Sequence, residues 1–178
     1  EIHERLVGSE MCIRDRWCVV DNSLISVITV SYNAVSTIEQ TILSVINQTY
    51  SNIEYIIIDG GSTDGTIDII RRYEDKIAYW VSEPDRGIYD AMNKGASKAN
   101  GEYIAFLNSD DWYELDAVSI IAQFADGKTD LISGIIKLYK NNIFLYAHGA
   151  SMDNIYNEMI AHPVSYTHLR AHETLMNL

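Results

Sequence analysis

Apolar runs separated by short polar turns divide the chain into alternating strands and helices. Leu24-Ile25-Ser26-Val27-Ile28-Thr29-Val30 is apolar and β-branched nearly throughout, as in a strand buried on both faces. Ser31-Tyr32-Asn33 follows as a loop, and Ser36 or Thr37 stands where a helix would be capped. Ile38, Ile42, Val45 and Ile46 then share one helical face. Ile53-Glu54-Tyr55-Ile56-Ile57-Ile58 reads as a second buried strand, ending in the turn-rich loop Asp59-Gly60-Gly61-Ser62-Thr63-Asp64-Gly65. Thr66 opens another helix, with Ile67, Ile70 and Tyr73 apolar. A third strand is expected at Ile77-Ala78-Tyr79-Trp80-Val81, then a loop at Glu83-Pro84-Asp85-Arg86-Gly87. A helix from Ile88 to Ala99 would turn Ile88, Ala91, Met92 and Ala96 inward. Glu102-Tyr103-Ile104-Ala105-Phe106-Leu107 is the fourth strand and runs into Asn108-Ser109-Asp110-Asp111-Trp112. A helix over about Leu115 to Phe124 follows, then strands at Leu131 to Tyr139 and Ile143 to Ala147, paired as a hairpin through Asn141-Asn142. Strands alternating with helices predict a three-layer α/β/α sandwich with a mainly parallel sheet.

Composition narrows the partners. The 178 residues suffice for one domain with a core, and 47% are apolar, ordinary for a globular protein. No apolar run is long enough for a transmembrane segment, and no stretch has the order of a secretory signal. The net charge of -12 repels phosphate backbones, so no nucleic acid is expected as a partner. An anionic ligand would need a metal or a local basic group. Cys12 and Cys18 have no metal-ligand spacing and form no disulfide framework, which fits a reducing, cytoplasmic setting.

The two ends read differently from the middle. Leu6 to Arg16 looks like one reading frame of a common transposase sequencing adapter, and Val164 to Thr174 looks like a frame of its reverse complement. Outside these, Glu1-Ile2 and Asn177-Leu178 fit complementary primer sequence. The intervening His3-Glu4 and Leu175-Met176 fit one barcode read on opposite strands. Residues 1–16 and 163–178 are therefore expected to be adapter-derived rather than native, and 17–162 to be the donor-binding part of a truncated domain. Pro163 straddles the junction. His3, His168 and His172 then carry no chemistry, although His168 and His172 have a metal-ligand spacing.

The polar residues cluster after the second and fourth strands, at the carboxyl ends where ligands of open α/β sheets bind. Adjacent Asp110 and Asp111 repel each other at a buried strand's end, and a divalent cation would relieve that repulsion. A competing reading makes Asp111 a helix N-cap and leaves Asp110 solvated. The Asp59 loop is no EF-hand, because Asp64 stands sixth, where glycine is required. It also lacks the Gly-Lys-Ser/Thr of a phosphate-binding Walker loop and the G-x-G-x-x-G order of a dinucleotide fold.

Four blocks in order carry a resemblance: Ile25 to Asn33; Ser44-Val45-Ile46-Asn47-Gln48-Thr49-Tyr50; Ile58-Asp59-Gly60-Gly61-Ser62-Thr63-Asp64-Gly65-Thr66; and Asn108-Ser109-Asp110-Asp111-Trp112. The chain resembles the family-two glycosyltransferases of bacteria. Asp85-Arg86-Gly87-Ile88-Tyr89-Asp90-Ala91-Met92-Asn93-Lys94-Gly95 resembles the subgroup that builds surface polysaccharides. The resemblance implies a GT-A fold, a nucleotide-diphosphate sugar donor, a divalent cation (Mn²⁺ or Mg²⁺) and inversion at the anomeric carbon. The acceptor would be a glycan or lipid-linked, compatible with peripheral association at the inner face of the cell membrane.

Carried over by position, Val30 and Tyr32 would line the nucleobase and Asp59 would belong to the base-binding loop. Asn108 would face the ribose, Asp110 would bind the metal, and Asp111 would orient the donor sugar or support the metal. Arg86 would touch the diphosphate. Two positions depart from the family pattern. Gly60 stands where many members have a second Asp that pairs with the base, and Asn108 replaces the usual first Asp of the DXD motif. The general base is expected beyond His162. Asp153 and Glu158 sit in no recognisable base motif, and His162 is expected to be structural. The parent would be a transferase and this fragment inactive. Two alternatives are a non-catalytic nucleotide-binding module and a sugar nucleotidyltransferase. Ser31-Tyr32-Asn33 argues against the latter, which would carry a Gly-rich basic loop there.

Overall fold

The computed structural model describes residues 23–125 and the segments 131–133, 135–140, 143–149 and 167–170. The first part follows the expected alternation. Strand β1 (Ile25–Ser31) leads to helix α1 (Ile38–Ile46), β2 (Ile53–Asp59) and α2 (Thr66–Arg72). A 3₁₀ turn (Glu74–Lys76), β3 (Tyr79–Ser82), α3 (Ile88–Ala96), β4 (Tyr103–Asn108) and α4 (Ala117–Ala122) come next. Beyond them lie β5 (Leu131–Ser133), β6 (Ile135–Lys140), β7 (Ile143–Gly149) and β8 (Thr167–Arg170).

Among the described residues, six strands form one sheet in the order β3-β2-β1-β4-β8-β5. Strands β1 to β4 are mutually parallel where they pair, while β8 runs antiparallel to β4 and β5. Strands β6 and β7 pair antiparallel as a separate ribbon, the expected hairpin, with residues 141–142 outside the described residues. The strand expected over Leu131 to Tyr139 is instead two strands, β5 and β6, which belong to different sheets. Local periodicity carries no information about which sheet a strand joins.

Alternation along the central strands builds the layers. Ile25 and Val27 of β1, with Tyr55 and Ile57 of β2, pack against Ile38, Ile42 and Val45 of α1 and Ile69 and Ile70 of α2. Val118 and Ala122 of α4 join the same face. Ile28, Val30, Ile56, Ile58 and Ile104 point the other way, onto Ala91 of α3. The sheet is thus sandwiched between helices. Each fully buried isoleucine contributes about 1.5–3 kcal/mol. Helix α3 comes close because Gly95 lies directly against the Ile28 side chain, where any Cβ would collide.

Several local expectations need correction. Thr37 is the N-cap residue of α1, but its hydroxyl bonds back to the Ala34 carbonyl and caps no helical N–H. Ile88 is exposed, since it begins the first turn of α3 before the helix meets the sheet. The α3 helix stops at Ala96 because Lys98 and Ala99 donate to the third residue back, tightening the chain into turns. Ile77 closes the preceding 3₁₀ turn on Glu74, so β3 starts two residues later than its apolar run. Asp111 caps no helix: α4 begins at Ala117, after Asp116.

Candidate donor site

The site grows from the carboxyl ends of the parallel strands, where register does much of the work. Ser31, Asp59 and Ser82 stand side by side on β1, β2 and β3. Residues directly opposite each other share a face, so both serine hydroxyls reach the Asp59 carboxylate, Ser31 Oγ at 2.9 Å and Ser82 Oγ at 2.6 Å. The loop that follows then folds back on the same group. Ser62 donates through Oγ at 2.5 Å and through N at 2.8 Å, and Gly61 N donates at 3.1 Å. Asp59 is fully buried. Burial pushes its carboxyl upward, but the bonds from Ser62, Ser82 and Ser31 outweigh that, so it lies below the usual carboxylate value and is ionised. Asp59 is therefore the internal tie of the loop, with both oxygens engaged by its own chain.

That loop is zipped to the one after β1. Asn33 N donates to Ser62 Oγ at 2.8 Å, and Thr63 N donates to Asn33 Oδ1 at 3.0 Å. Ala34 N donates to Thr66 Oγ1 and Val35 N to Asp64 Oδ2. Asn33 takes a left-handed conformation, φ 49°, which asparagine tolerates better than most residues. Tyr32 sits inside this bonded frame and is 67% exposed, a fixed backbone carrying an exposed aromatic residue. Val30, by contrast, is buried.

A third group of contacts holds the motif after β4. Thr41 is completely buried on α1, and its hydroxyl lies 3.0 Å from the Ser109 carbonyl and 2.8 Å from the Asp111 carbonyl, sharing one proton between them. One and two turns further along, Ser44 Oγ accepts from Tyr113 N, and Gln48 bonds to Glu114 O and Val118 N. Thr41 and Ser44 of α1, with Gln48 just beyond its end, thus grip the backbone from 109 to 118. Sequence reasoning missed these residues. The available signal was the run of hydrogen-bonding side chains at helical spacing beside an otherwise apolar face.

Held this way, Asp110 is exposed, and its carboxylate has no hydrogen bond or ion pair among the described residues. Asp111 Oδ2 accepts from Asn108 Nδ2 at 3.4 Å, while Asn108 Oδ1 is buried without a donor. Among the described residues no three acidic, histidine or cysteine side chains converge as a metal cage. An open oxygen ligand at Asp110 beside Asp111 still fits a hard cation that takes most of its coordination from phosphates and water. Arg86 does not join this group in advance. Its side chain is 92% exposed and lies 3.8 Å from Asp90.

Comparisons with known proteins bear on the family. The family described as "Glycosyl transferase family 2" matches residues 26–175. The putative teichuronic acid biosynthesis glycosyltransferase TuaG of Bacillus subtilis (strain 168) is 43% identical over 104 residues, covering 57% of this chain and 41% of that protein. The UDP-Glc:alpha-D-GlcNAc-diphosphoundecaprenol beta-1,3-glucosyltransferase WfaP of Escherichia coli is 42% identical over 97 residues, covering 54% of this chain and 39% of its own. The chain thus spans less than half the length of these relatives. Among solved structures, the mannosyltransferase PcManGT from Pyrobaculum calidifontis, in complex with GDP-Man and Mn²⁺, superposes with a TM-score of 0.56. It is 26% identical, over 62% of this chain and 35% of that one. Fold and sequence agree, and the chain belongs to glycosyl transferase family 2.

Proposed function

We propose that these residues form the donor half of an inverting glycosyltransferase of polysaccharide biosynthesis, which takes its sugar from a nucleoside diphosphate. The observation that carries this reading is the open Asp110 carboxylate at the end of β4, clamped from behind by Thr41 and flanked by Asp111 and Asn108. One relative named as a putative teichuronic acid biosynthesis glycosyltransferase, and another named for a diphosphoundecaprenol-linked acceptor, support the polysaccharide assignment and a lipid-linked or glycan acceptor. No helix among the described residues is long and apolar enough to cross a membrane. Work at the cytoplasmic face of the membrane, on an acceptor presented there, accords with that.

Asp110 would hold the divalent cation, Mn²⁺ or Mg²⁺, with Asp111 supporting it or orienting the donor sugar. When bound, such an ion neutralises charge that grows on the departing diphosphate. Tyr32 offers its exposed face to the base, and Asn108 Oδ1 offers an acceptor to a ribose hydroxyl. An acceptor hydroxyl attacks the anomeric carbon from the side opposite the diphosphate, the bond to the diphosphate oxygen breaks, and configuration inverts. The hydroxyl's proton passes to a general base. Because that base is expected beyond His162, donor binding rather than turnover is the activity to measure in this chain. Residues 1–16 and 163–178 are read as non-native, and sequencing the parent gene across both junctions checks this directly. Calorimetric titration of the chain with UDP and GDP, with and without Mn²⁺, tests the donor site. Metal-dependent binding that disappears in Asp110→Ala is expected, and a folded chain that binds neither nucleotide would overturn the proposal.

A further inference from the structure

Gly60 has no conformational reason to be glycine. Its φ lies outside the left-handed region, unlike those of Gly61 (84°) and Gly65 (101°). The reason is spatial. A Cβ on Gly60 would stand 2.6 Å from Asp85 Oδ2 and 3.3 Å from Tyr32 Cδ2. The Asp85 carboxylate, coming from the loop after β3, therefore occupies the space beside position 60, next to the Tyr32 ring.

The Asp85 carboxylate is built to face outward. Oδ1 accepts from Gly87 N at 2.8 Å, which fixes the orientation of the group. Oδ2 has no hydrogen bond among the described residues. The loop that carries it is pinned by Lys94 of α3, which bonds Glu83 Oε1 at 2.9 Å and the Pro84 carbonyl at 3.3 Å. A half-buried carboxylate with one fixed and one open oxygen thus stands beside an exposed aromatic ring.

Building on the donor-site reading above, we infer that Asp85 reads the nucleobase, supplying from the β3 loop the carboxylate that position 60 lacks. With the base stacked on Tyr32, Asp85 Oδ2 accepts a ring N–H. Uracil, thymine and guanine carry such a donor on their pairing edge, whereas cytosine and adenine present a lone pair there. Asp85 therefore favours uridine, thymidine or guanosine diphosphates over cytidine and adenosine diphosphates, whose edge donors are exocyclic amines beside a ring lone pair. Lys94 is a positioning residue for this contact.

The test is calorimetric titration of the whole chain with UDP, GDP, CDP and ADP in the presence of Mn²⁺. The native chain is expected to bind UDP or GDP at least about 10-fold more tightly than CDP and ADP, the scale of one hydrogen bond to a charged group. Asp85→Asn is nearly isosteric. Its carbonyl keeps the Gly87 N–H, which turns the amide NH₂ toward the base and moves preference toward CDP or ADP. A purely structural role for Asp85 predicts no such change in rank order. Gly60→Ala displaces Oδ2 and weakens selectivity, with no further effect once Asp85→Ala is present. Unfolding curves for each variant separate lost binding from lost structure. Binding without base preference, or a preference that survives both Asp85 substitutions, overturns this inference and leaves the donor site standing. A folded native chain that binds none of the four nucleotides overturns both.

Discussion

The two ends of the parallel sheet use carboxylates in opposite ways. At the amino ends, Glu54 of β2 takes Ser26 Oγ at 2.5 Å, Asn100 N at 2.7 Å and Asn100 Nδ2 at 2.6 Å, and Ser26 in turn accepts from Gly101 N. The network is closed: it staples the turn before β4 to the first two strands. At the carboxyl ends, Asp59 forms a similar closed tie, but Asp110 and one oxygen of Asp85 are left open around it. Buried polar groups are normally satisfied within the fold. Asp59 follows that rule, whereas Asp110 is exposed and Asp85 half-buried, so solvent completes their bonding until the proposed ligand replaces it. The comparison separates residues that make the fold from residues that use it.

Breaking a closed tie should hurt stability most. Asp59→Ala leaves the Gly61 and Ser62 amides without their acceptor and frees two interstrand serines, a loss of about 3 kcal/mol in urea unfolding. Asp110→Ala should do the reverse, changing stability by no more than about 0.5 kcal/mol while removing the Mn²⁺-dependent part of nucleotide affinity. Thr41→Val lies between, because it strips the donor from the Ser109 and Asp111 carbonyls. It should cost about 1–2 kcal/mol in unfolding and weaken Mn²⁺-dependent binding several-fold. Glu54→Gln should lower stability by about 1 kcal/mol and leave nucleotide titrations unchanged.

Acid should expose the same division. In Glu54 and Asp59 burial raises the carboxyl, but hydrogen bonds, from Asn100 and Ser26 in one and from the serines in the other, outweigh it and hold both groups below their ordinary values. Their stabilising contribution is complete above the unfolded value near about 4 and is lost as pH falls through the lower folded values. Urea midpoints measured downward from pH 7 should hold until about pH 4 and then drop. The drop should be shallower in Glu54→Gln.

Much of this was legible in the chain. The β-branched runs at Ile25 to Val30 and Ile53 to Ile58 needed only a period and a length to be read as central strands. Asn108-Ser109-Asp110-Asp111 could be placed at a strand's end because Glu102 to Leu107 precedes it. What could not be read depends on pairs far apart in sequence. Asp85 has its meaning only beside Gly60, and a glycine's empty space is invisible until the neighbour that fills it is known. Asp59 reads as part of the base-binding loop, but the serine row that fixes its carboxylate appears only once three strands are in register. Likewise Thr41 reads as a neutral helix residue until the turn it grips is folded against it. The place of β8 between β4 and β5 could not be read at all, because Thr167–Arg170 lies within the segment read as adapter-derived.

The most direct test of the central claim locates the bound metal and nucleotide. Mn²⁺ broadens the NMR signals of nearby amides, so an isotope-labelled chain titrated with trace Mn²⁺ and UDP or GDP maps the site in one experiment. Nucleotide-dependent broadening is expected around residues 108–112, extending to the loops at 31–33, 60–62 and 85, with the amides of Glu54 and Asn100 unaffected. Broadening centred on the amino ends, or the same at 108–112 in Asp110→Ala, would contradict it.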